Sequence, residues 1–386
     1  MQFSLFASIF LLFLLPLYTY AEIDGCAKTW LIENLTIDEI NENPSLAKNT
    51  AERKVSRLAF ERLIQKITIN PFKHNETIIT KVKYEEIESM LDFRLVKSEK
   101  TLSNRYIATF SFCFLKEKVT QFLSKHSLAW SELQSRPIIV FPVWKNAFSI
   151  RLWKDPNPLK DAIEKIINSH SGLTELIFPK NKIGVLRSID ANLAYIGNKK
   201  SISRAIERSG ASRALIINFE LNKEIIEGNI NFEELDIKHI KKENLYSIKV
   251  FAYLHNNKGE RQGTIYNSET YIDINDLDKN ISFQIKNIIF SLEEKWKQAN
   301  QFVGNNNDKI QIFIYAKNIQ DWSNAIRKLN SLPGVSEVYT DKLVSEGGYV
   351  NLLVEGGINR FISIVLENKL PFSGTKNKLK FNSDKL

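Results

Sequence analysis

Histidine, a frequent metal ligand and general base, occurs five times in this sequence of 386 residues, with no regular spacing. No His-Glu-x-x-His motif or paired-ligand spacing connects His74, His126, His170, His239 and His255, so a zinc site is not predicted. A Gly-x-Ser-x-Gly nucleophile elbow is also absent. A catalytic triad could still assemble from distant residues, because geometry rather than sequence order defines it. We therefore predict no catalytic residue, no cofactor and no metal site.

Two short patterns resemble ligand loops but lack essential residues. The run Asp273–Asp278 has the acidic residues of a calcium loop without its glycine at the sixth position or its glutamate at the twelfth. The pairs Gly347-Gly348 and Gly356-Gly357 are not followed by the Gly-Lys-Ser/Thr of a phosphate loop. We interpret the acidic residues as helix caps and the glycines as turn residues.

The sequence contains two cysteines, Cys26 and Cys113. In an exported chain they could form one disulfide, which would stabilise the fold by roughly 2–4 kcal/mol. Cys113, however, lies in an apolar strand pattern, and Cys26 lies in a segment that we expect to be mobile. We therefore expect two free or buried thiols rather than a disulfide.

The most distinctive side chains lie between Arg136 and Pro158. Arg136 and Pro137 precede an apolar run, Ile138–Val143, of the length of a strand buried on both faces. The candidate residues of a recognition or structural loop are Arg136, Pro137, Trp144, Trp153, Asp155 and Asn157. In the structural interpretation, which we prefer, the tryptophans fill the layer between sheet and helices and the prolines set a rigid turn. In the functional interpretation, an aromatic recognition patch lies beside that loop.

The N-terminus has the features of a secretory signal. Phe3–Leu15 is an unbroken run of apolar and small residues, and Pro16 and Ala21 follow it. A short apolar core and a small residue at the cleavage position predict a signal peptide over residues 1–21, with Glu22 as the mature N-terminus. The segment before the apolar run has no lysine or arginine, so an uncleaved membrane anchor is the alternative.

The net charge of +9 does not indicate a nucleic-acid-binding protein. Lysines and arginines are interleaved with acidic residues along the whole chain and form no long basic block. We expect a solvated mixed surface, no nucleic-acid partner, and at most a weak contact with anionic membranes.

Hydrophobic periodicity predicts three folded units after the signal. Residues 22–130 have the order α-β-β-α, with a long first helix over 46–69, and predict an α+β unit. Residues 131–303 predict a central mixed-sheet α/β domain that includes a strand at Ile230–Leu235. Ser201 is the expected cap of one of its helices, and Asp276 or Asp278 that of the last.

Residues 304–307 read as a linker, and residues 308–386 form the last predicted unit. Its order β-α-β-β-α-β is that of the ferredoxin-like fold. Trp322, Ile326 and Leu329 are expected to face the sheet, and a basic tail follows. The expected class is therefore a multidomain α+β and α/β protein.

Three segments resemble a family of exported proteobacterial proteins known as domain of unknown function 2066. They are Ala129-Trp130, Ser135–Trp144 and the Trp-x-Asp-Pro-Asn-Pro turn in Leu152–Pro158, and the resemblance is strongest over residues 46–220. Leu159 departs from it, since alphaproteobacterial members often have tryptophan there. Membership implies an envelope location and no particular activity.

The expected function is that of an exported, periplasmic, non-enzymatic protein that contacts an envelope protein partner, for example by strand addition at an exposed sheet edge. A first alternative is an envelope hydrolase or small-ligand-binding protein, which would require a deep pocket with convergent polar groups. A second is a membrane-tethered scaffold.

Overall fold

The computed structural model describes residues 26–70, 76–179, 182–223, 244–301, 307–375 and 378–383. Over these residues the chain is a mixed α/β protein with three β-sheets and eleven α-helices. The expected signal peptide, the expected mature terminus at Glu22 and the expected strand at Ile230–Leu235 lie outside the described residues. Within the described part, which begins at Cys26, no helix is both long and apolar enough to cross a bilayer.

The first sheet has three antiparallel strands in the order β1-β3-β2, with a long helix packed against it. Asn43 caps that helix by accepting a hydrogen bond from the backbone of Leu46, and Pro44 occupies its first turn. The expected helix over 46–69 is thereby confirmed with small shifts at its ends. The elements are β1 Leu31–Ile40, α1 Pro44–Ile67, α2 Glu76–Lys81, α3 Tyr84–Ser89, β2 Leu91–Thr101, β3 Arg105–Phe114 and α4 Lys116–Lys125.

Strand β1 was not expected from the sequence. Its pairing with β3 shifts register between Ile32 and Leu35, and Asn34 between them has a positive φ of 56°. This irregularity places Ile32 and Leu35 in the core although they are three residues apart. The strand therefore lacks the period-two alternation by which strands are recognised.

The expectation of two free thiols is wrong. A disulfide joins Cys26 to Cys113, with 6.0 Å between the two Cα atoms. Strand β1 runs beside β3 and pairs Leu31 with Cys113, so it brings the chain just before it to the same place. Because β1 could not be read from the sequence, Cys26 was wrongly placed in a mobile segment.

The central sheet has the order β5-β4-β7-β8-β9, and β6 pairs with β4. Strands β4 and β7 are parallel, whereas β7, β8 and β9 are antiparallel neighbours. The expected strand buried on both faces is confirmed, since Ile138 and Val140 of β4 belong to one core cluster and Ile139 and Phe141 to another. The elements are β4 Ile138–Asn146, β5 Ile150–Arg151, α5 Pro158–Ile167, β6 Leu176–Ile177, α6 Ile183–Leu186, α7 Ala191–Tyr195, α8 Lys199–Ser209, β7 Arg213–Lys223, β8 Leu245–His255, β9 Arg261–Asp273 and α9 Leu277–Ala299.

Two expected helix caps are placed differently in the structure. Asn198, rather than Ser201, caps α8, since its side-chain oxygen accepts a hydrogen bond from the Ser201 backbone nitrogen at 3.0 Å. Asp273 caps a 3-10 turn, Ile274–Asp276, which leads directly into α9. Asp276 occupies the cap position of α9 but makes no capping hydrogen bond with its side chain.

The third sheet has the strand order β11-β12-β10-β14-β13. Its central strand β10 is antiparallel to β12 and parallel to β14. Leu329 is buried, and Trp322 and Ile326 pack against the same core, as expected. Asn307 begins β10 rather than ending a linker, and residues 304–306 lie outside the described residues. The elements are β10 Asn307–Tyr315, α10 Ile319–Asn330, β11 Val335–Val344, β12 Gly347–Glu355, α11 Gly357–Glu367, β13 Phe372–Thr375 and β14 Lys378–Asn382.

Candidate functional site

A group of buried ionisable side chains lies where α9 meets the end of α1. Glu293 accepts hydrogen bonds from the backbone nitrogens of Leu173 and Thr174, at 3.0 and 2.8 Å, and from His170 at 3.0 Å. Burial alone would raise the pKa of Glu293, but the bonds from His170 and Thr174 outweigh burial and lower it. The carboxylate is therefore held ionised as an anchor for the segment before β6.

The neighbouring buried lysines bind backbone carbonyls. Lys297 donates to the carbonyl of Thr68 at 2.6 Å and also pairs with Glu294. Lys66 donates to the carbonyls of Lys28 and Leu31 at 2.7 and 3.2 Å. Burial lowers the pKa of Lys66 to about 8.

These groups line a cavity of about 570 Å³, which is the kind of site that the hydrolase alternative requires. Their polar atoms, however, are used to hold chain segments together. Glu293 is bonded to the 170–174 segment, and Lys66 and Lys297 are bonded to carbonyls at the ends of other elements. We interpret the cluster as the junction between the first and second sheets rather than as a catalytic centre.

Two of the predicted loop residues, Trp144 and Asn157, have clear structural contacts. Trp144 is buried and stacks on Phe219, with ring centroids 5.1 Å apart. Asn157 is fully buried, donates to the carbonyls of Pro142 and Leu152, and accepts from the backbone nitrogen of Lys160. It therefore caps α5 while tying the loop to β4.

Arg136 and Pro137 are also bound by other elements. The backbone nitrogen of Arg136 donates to Glu367 of α11 at 2.7 Å, and the carbonyl of Pro137 accepts from the backbone of Ser212 at 2.8 Å. Asp155 is largely exposed and pairs with Lys160, and this bond raises the pKa of Lys160. These contacts align the start of β4 and the turn before α5.

Trp153 differs from the other loop residues because it is only partly buried and borders an open cleft. Its ring packs edge-to-face on Phe141 and Phe178, at 5.6 and 5.8 Å. Within the described part of the chain, no hydrogen-bond partner meets its indole nitrogen, although that atom is buried. A buried N–H donor without an acceptor is unusual in proteins and is a reason to consider a ligand.

The cleft has a volume of about 550 Å³ and is bordered by the 150–154 segment, the 186–193 segment and α8. Four cationic side chains border it, namely Arg151, Lys154, Arg187 and Arg204. Asp190 is the one carboxylate of the lining, and it accepts a hydrogen bond from the backbone of Leu193. We call this feature the Trp153 cleft.

The cations of the Trp153 cleft are available for an anion. Arg187, Arg204 and Lys154 are exposed, and Arg151 donates to the Pro156 carbonyl at 2.8 Å through one nitrogen. Among the residues that the structure describes, no carboxylate lies within ion-pair distance of any of the four. The first turn of α8, which contains the lining residue Ser201, has no acidic residue, so its positive end is not neutralised locally.

The arrangement is suited to binding an anionic group. Arginines bind carboxylates and phosphates through paired hydrogen bonds, and an aromatic ring beside them adds an apolar contact. No histidine or cysteine lines the cleft. In the described ranges, no three histidine, cysteine or acidic side chains are close enough together to hold a metal ion.

The sequence-based expectation of strand addition requires an accessible sheet edge. Among the described strands, β2 and β11 are long edge strands with exposed apolar residues such as Leu95 and Leu343. Both strands have two register shifts against their neighbours, and both contain exposed charged residues. Bulges and charges protect an edge from further pairing, so β2 and β11 are poorly suited to strand addition.

Sequence reasoning identified Trp153 but missed the arginines of the cleft. These arginines, Arg151, Arg187 and Arg204, lie far apart in the sequence on three different elements or loops. The residues around each arginine do not distinguish it from other surface arginines. Their common feature is the lack of a nearby acidic partner, which depends on the fold.

Comparison with known proteins identifies no family. No family model matches the chain, and no curated protein matches it. It is similar to the crystal structure of a formyltetrahydrofolate deformylase from Burkholderia mallei ATCC 23344 at 7% identity and a TM-score of 0.21, over 68% of this chain and 94% of that one. It is also similar to the crystal structure of a formyltetrahydrofolate deformylase from Pseudomonas putida KT2440, at 10% identity and a TM-score of 0.19, over 68% of this chain and 92% of that one. Likenesses at these TM-scores support no inference about function.

Proposed function

We propose that this chain is an exported, non-enzymatic protein of the bacterial cell envelope that acts through protein–protein contacts. Its Trp153 cleft binds an acidic segment of the partner protein. The observation that supports this proposal is the set of four cationic side chains around Trp153, none with a carboxylate at ion-pair distance among the described residues. Arginine beside an aromatic residue is typical of the residues that dominate binding energy at protein interfaces.

Export is supported by two independent features. The first 21 residues have the composition of a secretory signal. The disulfide between Cys26 and Cys113 fits an oxidising compartment, since such bonds are rare in the cytosol. The periplasm of a proteobacterial cell, which the resemblance implies, is such a compartment.

We also propose a division into three folded units after the signal, at 22–130, 131–303 and 308–386. The last is a ferredoxin-like domain extended by β13. Its support is the strand order β11-β12-β10-β14, which is that of the ferredoxin-like sheet. Strand β10 is antiparallel to β12 but parallel to β14, and this parallel pair departs from the antiparallel pattern of that fold. The resemblance to domain of unknown function 2066 belongs to the same proposal.

The alternative functions would depend on other parts of the protein than the Trp153 cleft. An envelope hydrolase would use the junction cavity around Glu293, where the polar atoms are bonded to the chain itself. A scaffold tethered by an uncleaved anchor would keep Met1. Weak contact with anionic membranes would depend on net surface charge rather than on particular arginines, and a nucleic-acid partner is not part of the proposal.

The compartment is tested by fractionating the native host and measuring the intact mass of the protein. A soluble periplasmic chain that begins at Glu22 is the expected result. A chain that retains Met1 in the membrane fraction would favour the tethered scaffold, and a cytosolic chain would overturn the proposal of export.

The cleft is tested with a fluorescein-labelled oligoglutamate peptide and the purified mature protein. Arg187→Glu combined with Arg204→Glu is expected to weaken binding by about tenfold or more, because two charge-assisted contacts are replaced by repulsion. Lys118→Glu combined with Lys125→Glu is the matched control, since both lysines are exposed on α4 and the change in net charge is the same. An equal loss in both variants, or no saturable binding, would contradict a site at the cleft.

A further inference from the structure

The third sheet has one face covered by helices and one open face that is unusually aromatic. Along β10, Ile310, Ile312 and Ile314 are buried in the core below the helices. The alternate positions Phe313 and Tyr315 therefore point to the opposite face. Such solvent faces of antiparallel sheets are normally polar, so aromatic residues there need an explanation.

The aromatic residues of this face form one cluster across two strands. Phe313 lies edge-to-face with Tyr315 on its own strand and with Tyr349 on β12, with ring centroids 4.7 and 5.0 Å apart. Phe313 is paired directly with Tyr349 in the register of β10 and β12. Tyr349 is 40% exposed, so the cluster is open to solvent.

Polar groups surround the aromatic cluster. Lys380 of β14 donates to the hydroxyl of Tyr315 at 3.2 Å. Gln311 donates to Asp341 of β11 at 3.0 Å. A shallow cavity of about 430 Å³, within the size range of small-ligand sites, is bordered by Gln311, Tyr315, Glu346 and Lys380. We call this feature the aromatic sheet face.

The aromatic sheet face differs from the Trp153 cleft in the charge of its lining. The lining of its cavity has one cation, Lys380, and one carboxylate, Glu346, so the two formal charges cancel. A polyanion such as a nucleic acid gains affinity from many unopposed cations, and this cavity does not offer them. The lining instead combines aromatic rings with hydroxyl, amide, ammonium and carboxylate groups.

We propose that the aromatic sheet face binds a neutral oligosaccharide. A pyranose ring has one face of C–H groups with partial positive charge, which suits the negative face of an aromatic ring, and a rim of hydroxyls that both donate and accept hydrogen bonds. Tyr349 and Phe313 provide the rings, and Gln311, Tyr315, Glu346 and Lys380 provide the polar partners. This site is separate from the Trp153 cleft and does not depend on it.

The test is calorimetric titration of the mature protein with a soluble tetramer of β-1,4-linked N-acetylglucosamine. We expect saturable binding that weakens by about tenfold in Phe313→Ala and in Tyr349→Ala, because each loses an aromatic platform. Phe148→Ala is the matched control, since Phe148 is 96% exposed in the turn after β4 and should leave binding unchanged. Tyr315→Phe removes only a hydroxyl and should weaken binding less. Near-ultraviolet circular dichroism confirms that each variant is folded.

Three outcomes would overturn the proposal. The first is the absence of saturable binding by the folded wild-type protein at millimolar saccharide. The second is binding that Phe313→Ala and Tyr349→Ala leave intact, which would place the saccharide elsewhere. The third is preferential binding of a single-stranded oligothymidylate at the same face, lost in the same variants, which would identify a nucleic-acid platform. None of these outcomes bears on the oligoglutamate test of the Trp153 cleft.

Discussion

The carboxylate of Glu293 lies 2.8 Å from the backbone nitrogen of Thr174, although the two residues are 119 positions apart in the chain. Glu293 belongs to α9, and Thr174 lies just before β6, so one side chain fixes the path of a segment that has little regular structure. A buried carboxylate is stable there because backbone donors replace its lost water.

Glu293→Gln should lower the free energy of unfolding by about 2–4 kcal/mol. Leu173 and Thr174 donate from their backbone nitrogens to different oxygens of the Glu293 carboxylate. Glutamine keeps only one oxygen, so one of these nitrogens would face an N–H group instead of an acceptor. Urea denaturation followed by circular dichroism measures the change. Glu207→Gln on the exposed face of α8 is the control and should change the value by less than about 0.5 kcal/mol. Equal small losses in both variants would show that Glu293 is not an anchor.

The stability of the protein should rise with pH between pH 8 and 10.5 because of Lys66. Its pKa falls from 10.5 to about 8 on folding, since burial disfavours the ammonium form. Over that range the unfolded chain binds more protons at Lys66 than the native one, so rising pH favours the native state. The unfolding free energy of the wild type minus that of Lys66→Met should therefore increase by about 2 kcal/mol from pH 7 to pH 10. A constant difference would mean that the pKa of Lys66 is not depressed.

Removal of the disulfide should destabilise the first unit. Cys113→Ser is expected to lower the free energy of unfolding by about 2–5 kcal/mol, because the bond closes a long loop with a sequence separation of 87. Intact mass after alkylation without reductant should show no modified thiol in the wild type. Alkylation of both cysteines in the native protein would instead restore the expectation of free thiols.

Asn157 and Asp155 lie in the same turn, so Asp155→Ala can serve as the control for Asn157→Ala. Asn157→Ala should cost about 2–3 kcal/mol, because it removes the cap of α5 and the amide that donates to the buried carbonyls of Pro142 and Leu152. Asp155→Ala removes an exposed ion pair with Lys160 and should cost at most about 0.5 kcal/mol. Thermal unfolding of the two variants compares these costs. A larger loss for Asp155→Ala would mean that the turn is stabilised mainly by that ion pair.

Much of the fold could be predicted from local pattern. Strand β4 was recognised from its apolar run, and the long helix expected over 46–69 is observed as α1, Pro44–Ile67. Strand β1 was missed because its register shift near Asn34 breaks the alternation of buried residues. Strand β13 was missed because its four residues, Phe372–Thr375, are too few for a periodic signal.

The candidate site was predictable only in part. Trp153 stood out as a rare residue in a distinctive turn, but its exposure on a cleft depends on elements that follow it in the chain. The indole nitrogen without a partner is a feature of the folded packing and not of the sequence around it.

The sequence by itself determined many of the element types, among them β4 and α1, because each depends on neighbouring residues. For the same reason it predicts the export signal and the rigid turn before α5. Tertiary structure decided the pairing of Cys26 with Cys113, the anchoring of Thr174 by Glu293, and the grouping of Arg187 with Arg204 around Trp153. These contacts join positions far apart in the chain. They stabilise the fold only when burial and strand register bring the groups together, and the residues around each position do not predict this.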